Sequence, residues 1–373
     1  MVFCILYNTH SIYKLFVYTN LRHPCLISAK LGLNTKVVAA PLQTLDLGDG
    51  QITAGANIGA QNVVAVWNGN NSASQTTFYV VSNDLETKFT SSPVSGVFKH
   101  CEVYSSRVYC GGSTSAVDLN SDSSKSAIFA VINPSNGQIE NQWQLRVENQ
   151  ATELADFLIR SNGRIFAATN GTKCIGSIGG YDDDIGWWSR PADCSRMTEF
   201  NTSGNEITNW WMSPAPDGLL VAAIADFEGS IWAGFTCLST SNMEGYSKYA
   251  VFSYNGIHQG VISDVTGAGH SFMTGTLHSM QVANGGIYTA HTYYGDALGF
   301  SNSVFVSRIG FFHYSHGVIG SEPFVEASGF FQGIVGNRSI LIMTGWRNVL
   351  SNPNKIGWIT WVYSRFFCIW NRP

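Results

Sequence analysis

Ala127-Ile-Phe-Ala-Val-Ile132 is followed by the turn Asn133-Pro-Ser-Asn-Gly137 and by Gln138-Ile-Glu-Asn-Gln-Trp143. The first segment is an unbroken apolar run; the last alternates apolar and polar residues. Two short strands joined by an Asn/Gly turn read as an antiparallel hairpin. A second pair adjoins it: residues 154–159, the turn Ser161-Asn-Gly163, and Arg164-Ile-Phe-Ala-Ala168. Together they make four antiparallel strands, one blade's worth of sheet.

Working outward, the same unit recurs. A turn followed by apolar, aromatic and small residues appears at Arg107-Val-Tyr-Cys-Gly111, Arg164-Ile-Phe-Ala-Ala168, Ser230-Ile-Trp-Ala-Gly234 and Gly286-Ile-Tyr-Thr-Ala290. Asn62-Val-Val-Ala-Val66 and Ser339-Ile-Leu-Ile-Met343 are looser copies. Between copies lies a strand, a Gly turn and another strand. Such a repeat predicts an all-β fold, a β-propeller of six four-stranded blades, with seven as the alternative count. A sandwich or jelly roll also has many short strands but lacks the repeated unit. An open ring leaves unpaired edges, so closure by strand exchange is expected, with residues 37–47 pairing beside residues 356–363. The domain reading is an N-terminal extension at 1–35 (a degenerate leader or a gene-model artefact), a propeller at 36–363 and a tail at 364–373.

Phe129-Ala-Val-Ile-Asn-Pro-Ser-Asn-Gly137, with Trp143 after it, resembles the repeat of quinoprotein-type (PQQ-like) propellers. That repeat runs apolar-Ala-Leu-Asp-x-x-Thr-Gly and then Trp, preceded by a Gly-Val-Tyr-Val-Gly strand. Asn201-Thr-Ser-Gly204, followed by Trp210, is a second match. Asn stands where the family has Asp, Asn or Ser where it has Thr, and the gap from Gly to Trp is two residues longer. The resemblance implies the fold and carries over no quinone site.

Composition narrows the function. Only 12% of the 373 residues are charged, against about 25% in an average soluble protein. The net charge is −4 and there is no basic run. Nucleic-acid binding, which needs a basic face, is therefore not expected. No segment is long and apolar enough for a helical membrane span. Eight cysteines are present. Cys101 and Cys110 flank a hairpin turning at Ser105-Ser106, which puts them opposite each other in a non-hydrogen-bonded pair within disulfide reach. Cys174 and Cys194 bracket an irregular insertion and form a second candidate disulfide. Reduced, buried thiols are the alternative. Sequons begin at Asn70, Asn170, Asn201 and Asn337; they permit secretion. The expected location is extracellular or at the cell surface.

If the strands of each blade run outward from the axis, the first-to-second turns are tight and the second-to-third connections long. The long connections share one face, where rigid scaffolds build function. At the channel mouth on that face, Lys99, His100, Asp156, His278 and Gln332 are candidate ligand-binding residues. A His/Asp ring there suits a metal, a polar ligand or acid–base work; a merely polar, wet channel is the alternative. In the 174–194 insertion, Asp182, Asp183 and Asp184 are candidate Ca²⁺ ligands. Tyr181, Trp187 and Trp188 are candidate recognition residues for a protein or a glycan. A solvated acidic loop pinned by two tryptophans is the bland reading. The functional expectation is a secreted or surface recognition module. The alternative is a propeller enzyme (lyase, hydrolase or quinoprotein-like dehydrogenase) with its site at the channel mouth.

Overall fold

The computed structural model describes residues 2–6, 14–18, 47, 50–69, 74–84, 86–117, 122–147, 150–172, 177–182, 186–191, 194–212, 220–227, 229–238, 245–253, 256, 258–262, 276–283, 286–294, 305–313, 317–324, 329–336, 340–349 and 352–363. Its secondary structure consists of strands. β1 (Val2–Leu6) and β2 (Lys14–Tyr18) form a hairpin of their own. The first larger sheet holds β3 (Gln51–Ile58), β4 (Gln61–Trp67), β5 (Gln75–Ser82) and β6 (Thr87–Thr90), with β7 (Val94–Ser95) pairing on β5. The second holds β8 (Val97–Tyr104), β9 (Arg107–Ser113), β10 (Ala127–Ile132) and β11 (Ile139–Leu145). The third runs β12 (Thr152–Ile159), β13 (Ile165–Gly171), β16 (Ser195–Phe200), β17 (Glu206–Trp211). Between β13 and β16 the chain makes a separate hairpin, β14 (Ser177–Asp182) and β15 (Gly186–Pro191).

The fourth sheet is β18 (Leu220–Phe227), β19 (Ser230–Leu238), β20 (Gly245–Ser253) and β21 (His258–Ile262). The fifth is β22 (Thr276–Ala283), β23 (Gly286–Tyr294), β24 (Phe305–His313) and β25 (Gly317–Phe324). The sixth has three strands, β26 (Gly329–Gly336), β27 (Ile340–Val349) and β28 (Asn352–Tyr363). All pairings are antiparallel. The first strands of successive sheets are neighbours: β3 beside β8, then β12, β18, β22 and β26. The sheets therefore splay from a common line of inner strands. Residues 37–46, expected to close the ring, lie outside the described residues.

Burial explains why these segments are strands. β10 is buried at all six positions, while β11 alternates partly buried with exposed residues. A middle strand is covered on both faces by neighbouring sheets, so both halves of its alternation must be apolar. Ile128, Ala130 and Ile132 join Val63, Phe78 and Phe98 in the core between the first and second sheets. The residues between them, Ala127, Phe129 and Val131, join Leu154, Phe157 and Ile165 in the core between the second and third. β13 divides likewise: Ile165 and Ala167 face the second sheet, Phe166 and Ala168 the fourth. Among the described residues the core is a series of slabs, one between each successive pair from the first sheet to the fifth. Phe129 centres one of them, stacked on Trp143 at 5.1 Å and edge-on to Phe157 at 5.7 Å.

The outer rim has its own repeated contact. Gly204 lies in the turn between β16 and β17 at φ 83°, and a Cβ there would sit 2.6 Å from the Trp143 ring of the preceding sheet. Gly137 meets Phe89 and Gly256 meets Trp210 in the same way. Each of these three outer turns thus seats a bare backbone against the aromatic outer strand of the sheet before it. This is the physical content of the Gly-then-Trp pattern read from the sequence: only Gly combines positive φ with so close an approach.

At the inner edge every first strand carries a β-bulge at the same level. The skipped residues are Thr53, Lys99, Ala155, Ala222, His278 and Gln332. The residue after each bulge pairs with a small one: Ala65, Gly111, Ala168, Gly234, Ala290 and Thr344. Gly111, Ala168, Gly234 and Ala290 are the small residues that end the four clear copies of the repeated sequence unit. The reason shows at Gly111, where an added Cβ would lie 2.6 Å from Leu154 and 2.8 Å from Phe157 of the next sheet. A bulge re-aims side chains and breaks the strict alternation.

Candidate functional site

The bulges sort the expected channel-mouth residues into two kinds. Lys99, His278 and Gln332 are the bulged residues themselves, whereas His100 and Asp156 are the residues that follow a bulge. A sequence pattern of period two cannot show this slip. His100 on β8 and Asp156 on β12 come together, Nδ1 to Oδ1 3.8 Å. His278 and Gln332 lie on β22 and β26, beyond β18 along the line of inner strands.

His100 also meets Glu102, Nε2 to Oε1 3.1 Å, and packs edge-on to Phe157 at 5.1 Å. The ring is partly open, with 40% of its side-chain surface exposed. Desolvation works against the charged ring; the Asp156 charge, then the hydrogen bond and charge of Glu102, outweigh it and push the imidazole up to about 9. At neutral pH the ring is a cation between two carboxylates.

Asp156 is 15% exposed, and both of its oxygens are engaged. Oδ1 accepts the N–H of Phe157 at 2.9 Å, and Oδ2 accepts the N–H of Ile224, on the next sheet, at 3.0 Å. Burial pushes its carboxyl up, opposed by the charge of His100 and by the Ile224 and Phe157 N–H bonds. Asp156 thus ties the second, third and fourth sheets together.

Next to this pair lies a group that sequence reasoning missed. The Glu153 carboxylate takes Lys99 Nζ at 2.7 Å and Lys125 Nζ at 3.3 Å. Lys125 is 2% exposed and also donates to the Val117 carbonyl. Burial raises the Glu153 carboxyl, but the two ammonium groups prevail and hold it below the usual range. Lys99, His100 and Lys125 balance Glu102, Glu153 and Asp156, three charges against three. Residues 99, 125 and 153 come from two sheets and a connection, so no local motif links them.

A second inter-sheet tie lies in the same layer. Asn170 donates Nδ2–H to the Val221 carbonyl at 2.8 Å and accepts the Val221 N–H at 3.1 Å. Ser195 Oγ donates to Asn170 Oδ1 at 2.7 Å and takes the same N–H at 3.0 Å. Ser113, equivalent to Asn170 in the repeat, accepts the Leu154 N–H at 3.3 Å. At these two junctions backbone groups of the inner strand are satisfied by the side chain ending the previous sheet's second strand, as burial demands.

The Cys101–Cys110 disulfide is formed, with Cα atoms 4.1 Å apart and the residues directly opposite in the β8–β9 register. The hairpin turns on Ser105 and Ser106, both at positive φ, 47° and 61°. That is the primed two-residue turn whose twist suits a hairpin. Cys194 is disulfide-bonded; Cys174, expected as its partner, lies outside the described residues. So do Asp183 and Asp184. Asp182 ends β14, Tyr181 pairs with Trp187, and Trp188 pairs with Gly180 across the β14–β15 hairpin. Among the described residues no three His, Cys, Asp or Glu side chains are grouped to hold a metal, and no helix is long and apolar enough to cross a membrane.

No protein-family profile matches the chain, and no curated protein matches it in sequence. Solved structures similar in fold include a member of the DUF4221 family from Bacteroides vulgatus, 12% identical over 84% of this chain and 93% of that one, TM-score 0.48. The Pan2 WD40 domain of Neurospora crassa is 10% identical over 82% and 78%, TM-score 0.44. Quinohemoprotein alcohol dehydrogenase of Comamonas testosteroni is 8% identical over 79% of this chain and 57% of that one, TM-score 0.40. These are likenesses of fold alone. By its own sheet order, slab cores and line of inner strands, the chain is an all-β protein built on a β-propeller scaffold, with a quinoprotein-type likeness at the level of the fold.

Proposed function

We propose that residues 36–363 form a closed ring of six blades, and that the chain is a secreted or surface recognition module. Its binding surface is the face that carries the long second-to-third-strand connections. Among the described residues the sixth sheet has three strands where each of the first five has at least four. A strand from residues 37–47 beside β28 completes it and closes the ring.

The observation that carries the functional reading is the β14–β15 hairpin. It forms a sheet of its own, paired with neither β13 nor β16, so the third sheet is complete without it. Cys194, at its return to the scaffold, is held in a disulfide. A Cys174–Cys194 bridge would stabilise the loop by roughly 3 kcal/mol on the chain-entropy model. Such a constraint matters for a segment whose shape is presented to a partner. Tyr181, Trp187 and Trp188 supply the aromatic surface, and the partner is a protein or a glycan.

The enzymatic alternative draws on the meeting of His100 with Asp156. Against it, the carboxylate is committed to two backbone N–H groups, and the ring is held charged at neutral pH. A general base needs a pKa near the working pH and a free acceptor.

The test screens an array of immobilised glycans with the whole chain, with a variant lacking residues 175–193, and with His100→Gln. The recognition reading expects a bound glycan that the deletion variant loses while staying folded, with His100→Gln unaffected. Binding that survives the deletion but is lost in His100→Gln would move the site to the channel mouth. Unfolding on deletion would make the hairpin structural and sink the proposal.

A further inference from the structure

Two sequons fall wholly within the described residues, Asn170-Gly-Thr172 and Asn201-Thr-Ser203, and their environments are opposite. Asn201 opens the turn between β16 and β17, at the outer rim, and is partly exposed. Its Oδ1 accepts the N–H groups of Ser203 and Asn205, each at 3.0 Å. Among the described residues its Nδ2 has no partner. Backbone bonds from the Asn201 N–H to Asn205 and from the Gly204 N–H to Asn201 complete the turn, so of the side-chain amide only the oxygen is used and the nitrogen is left over. Asn170 is 9% exposed, and its Nδ2 is spent on the Val221 carbonyl between the third and fourth sheets.

We propose that Asn201 is an N-glycan acceptor and that the folded protein excludes a glycan from Asn170. In the transfer, Asn201 Nδ2 attacks the anomeric carbon of a lipid-diphosphate-linked oligosaccharide. The lipid diphosphate leaves with the bonding pair, and Nδ2 gives up one proton. Oδ1 remains an acceptor, so the turn bonds to Ser203 and Asn205 survive. At Asn170 a sugar has no room within the slab, and the two-point tie to Val221 breaks. Transfer precedes folding in the secretory route, so a chain modified at Asn170 does not complete the third and fourth sheets.

The inference rests on the secretory reading, and the experiment separates the two. The full chain is expressed in a glycosylating host, both unfused and behind an added cleavable leader. Glycopeptides of the soluble, protease-resistant fraction are then mapped after enzymatic release in heavy-oxygen water. The site assignment expects label at Asn201 and none at Asn170 in the leader-fused protein; Ser203→Ala, which keeps Asn201, abolishes the label at Asn201. Label at Asn170 in folded protein, or an empty Asn201, overturns it. If the fused chain is labelled at Asn201 and the unfused chain is not, the site assignment stands and the secretory reading fails. If little fused protein is secreted, Thr172→Ala removes the second sequon while keeping Asn170. Its yield should rise severalfold; an unchanged yield with Asn170 occupied in the parent's folded fraction contradicts the exclusion.

Discussion

The same neighbouring sheets are held together differently at the axis and at the rim. At the rim, Gly137 against Phe89, Gly204 against Trp143 and Gly256 against Trp210 repeat one contact from sheet to sheet. At the axis, the third sheet grips the fourth through Asp156 to Ile224 and Asn170 to Val221, while the second reaches the third through Ser113 to Leu154 and His100 to Asp156. The rim uses shape, which a repeat can copy. The axis uses polar groups suited to each junction, because every inner strand must satisfy its own outward backbone groups. Repetition at the rim makes a scaffold; individuality at the axis makes the places where a function could be written.

The sharpest break of this contrast is at Asp156. Asp156→Ala strands the Ile224 N–H and leaves the His100 cation with Glu102 alone. The Ile224 and Phe157 N–H groups both lose a charged acceptor, about 3 kcal/mol together, measured as a fall in denaturation midpoint with the slope unchanged. Next comes Gly204→Ala, which adds backbone strain at φ 83° to a clash with Trp143. About 2 kcal/mol is expected from positive φ and overpacking together. In a double-mutant cycle Trp143→Ala should relieve the clash and not the strain; fully additive effects would mean that the two residues do not press on each other. Smaller again is Asn170→Ala. Ser195 still reaches the Val221 N–H, so the loss is mainly the unmet Val221 carbonyl, about 1.5 kcal/mol. A larger loss than that from Asp156→Ala would invert the ranking.

How much of this was readable in the chain follows the same divide. Strands β8 to β13 could be placed from turn chemistry and alternation, but the Gly-to-Trp interval at Gly137–Trp143 did not reveal the rim contact, because Gly137 meets Phe89 of the sheet before and Trp143 meets Gly204 of the sheet after. The Cys101–Cys110 pair was legible because a two-residue turn fixes the register that joins them. Inner-edge bulges were not, since skipping Lys99 or His278 changes no residue type. The tie of Glu153 to Lys99 and Lys125 was hidden because its members are brought together only by packing of sheets. Asn170 could be read as a sequon and nothing more. Its role as a clamp depends on Val221, fifty-one positions further along.

The reading of the axis as a tie rather than a reaction centre turns on the charge of His100. Its folded value lies above the ordinary 6.5. Its contribution to stability is therefore complete below about pH 6.5 and fades as pH rises through about 9. The direct measurement is a pH titration of the His100 ring carbon signals by NMR in the full chain, assigned by their loss in His100→Gln. The account predicts an imidazolium that stays protonated through neutral pH and releases its proton near pH 9. A ring that titrates at or below 6.5 would be a free base beside Asp156, and would contradict it.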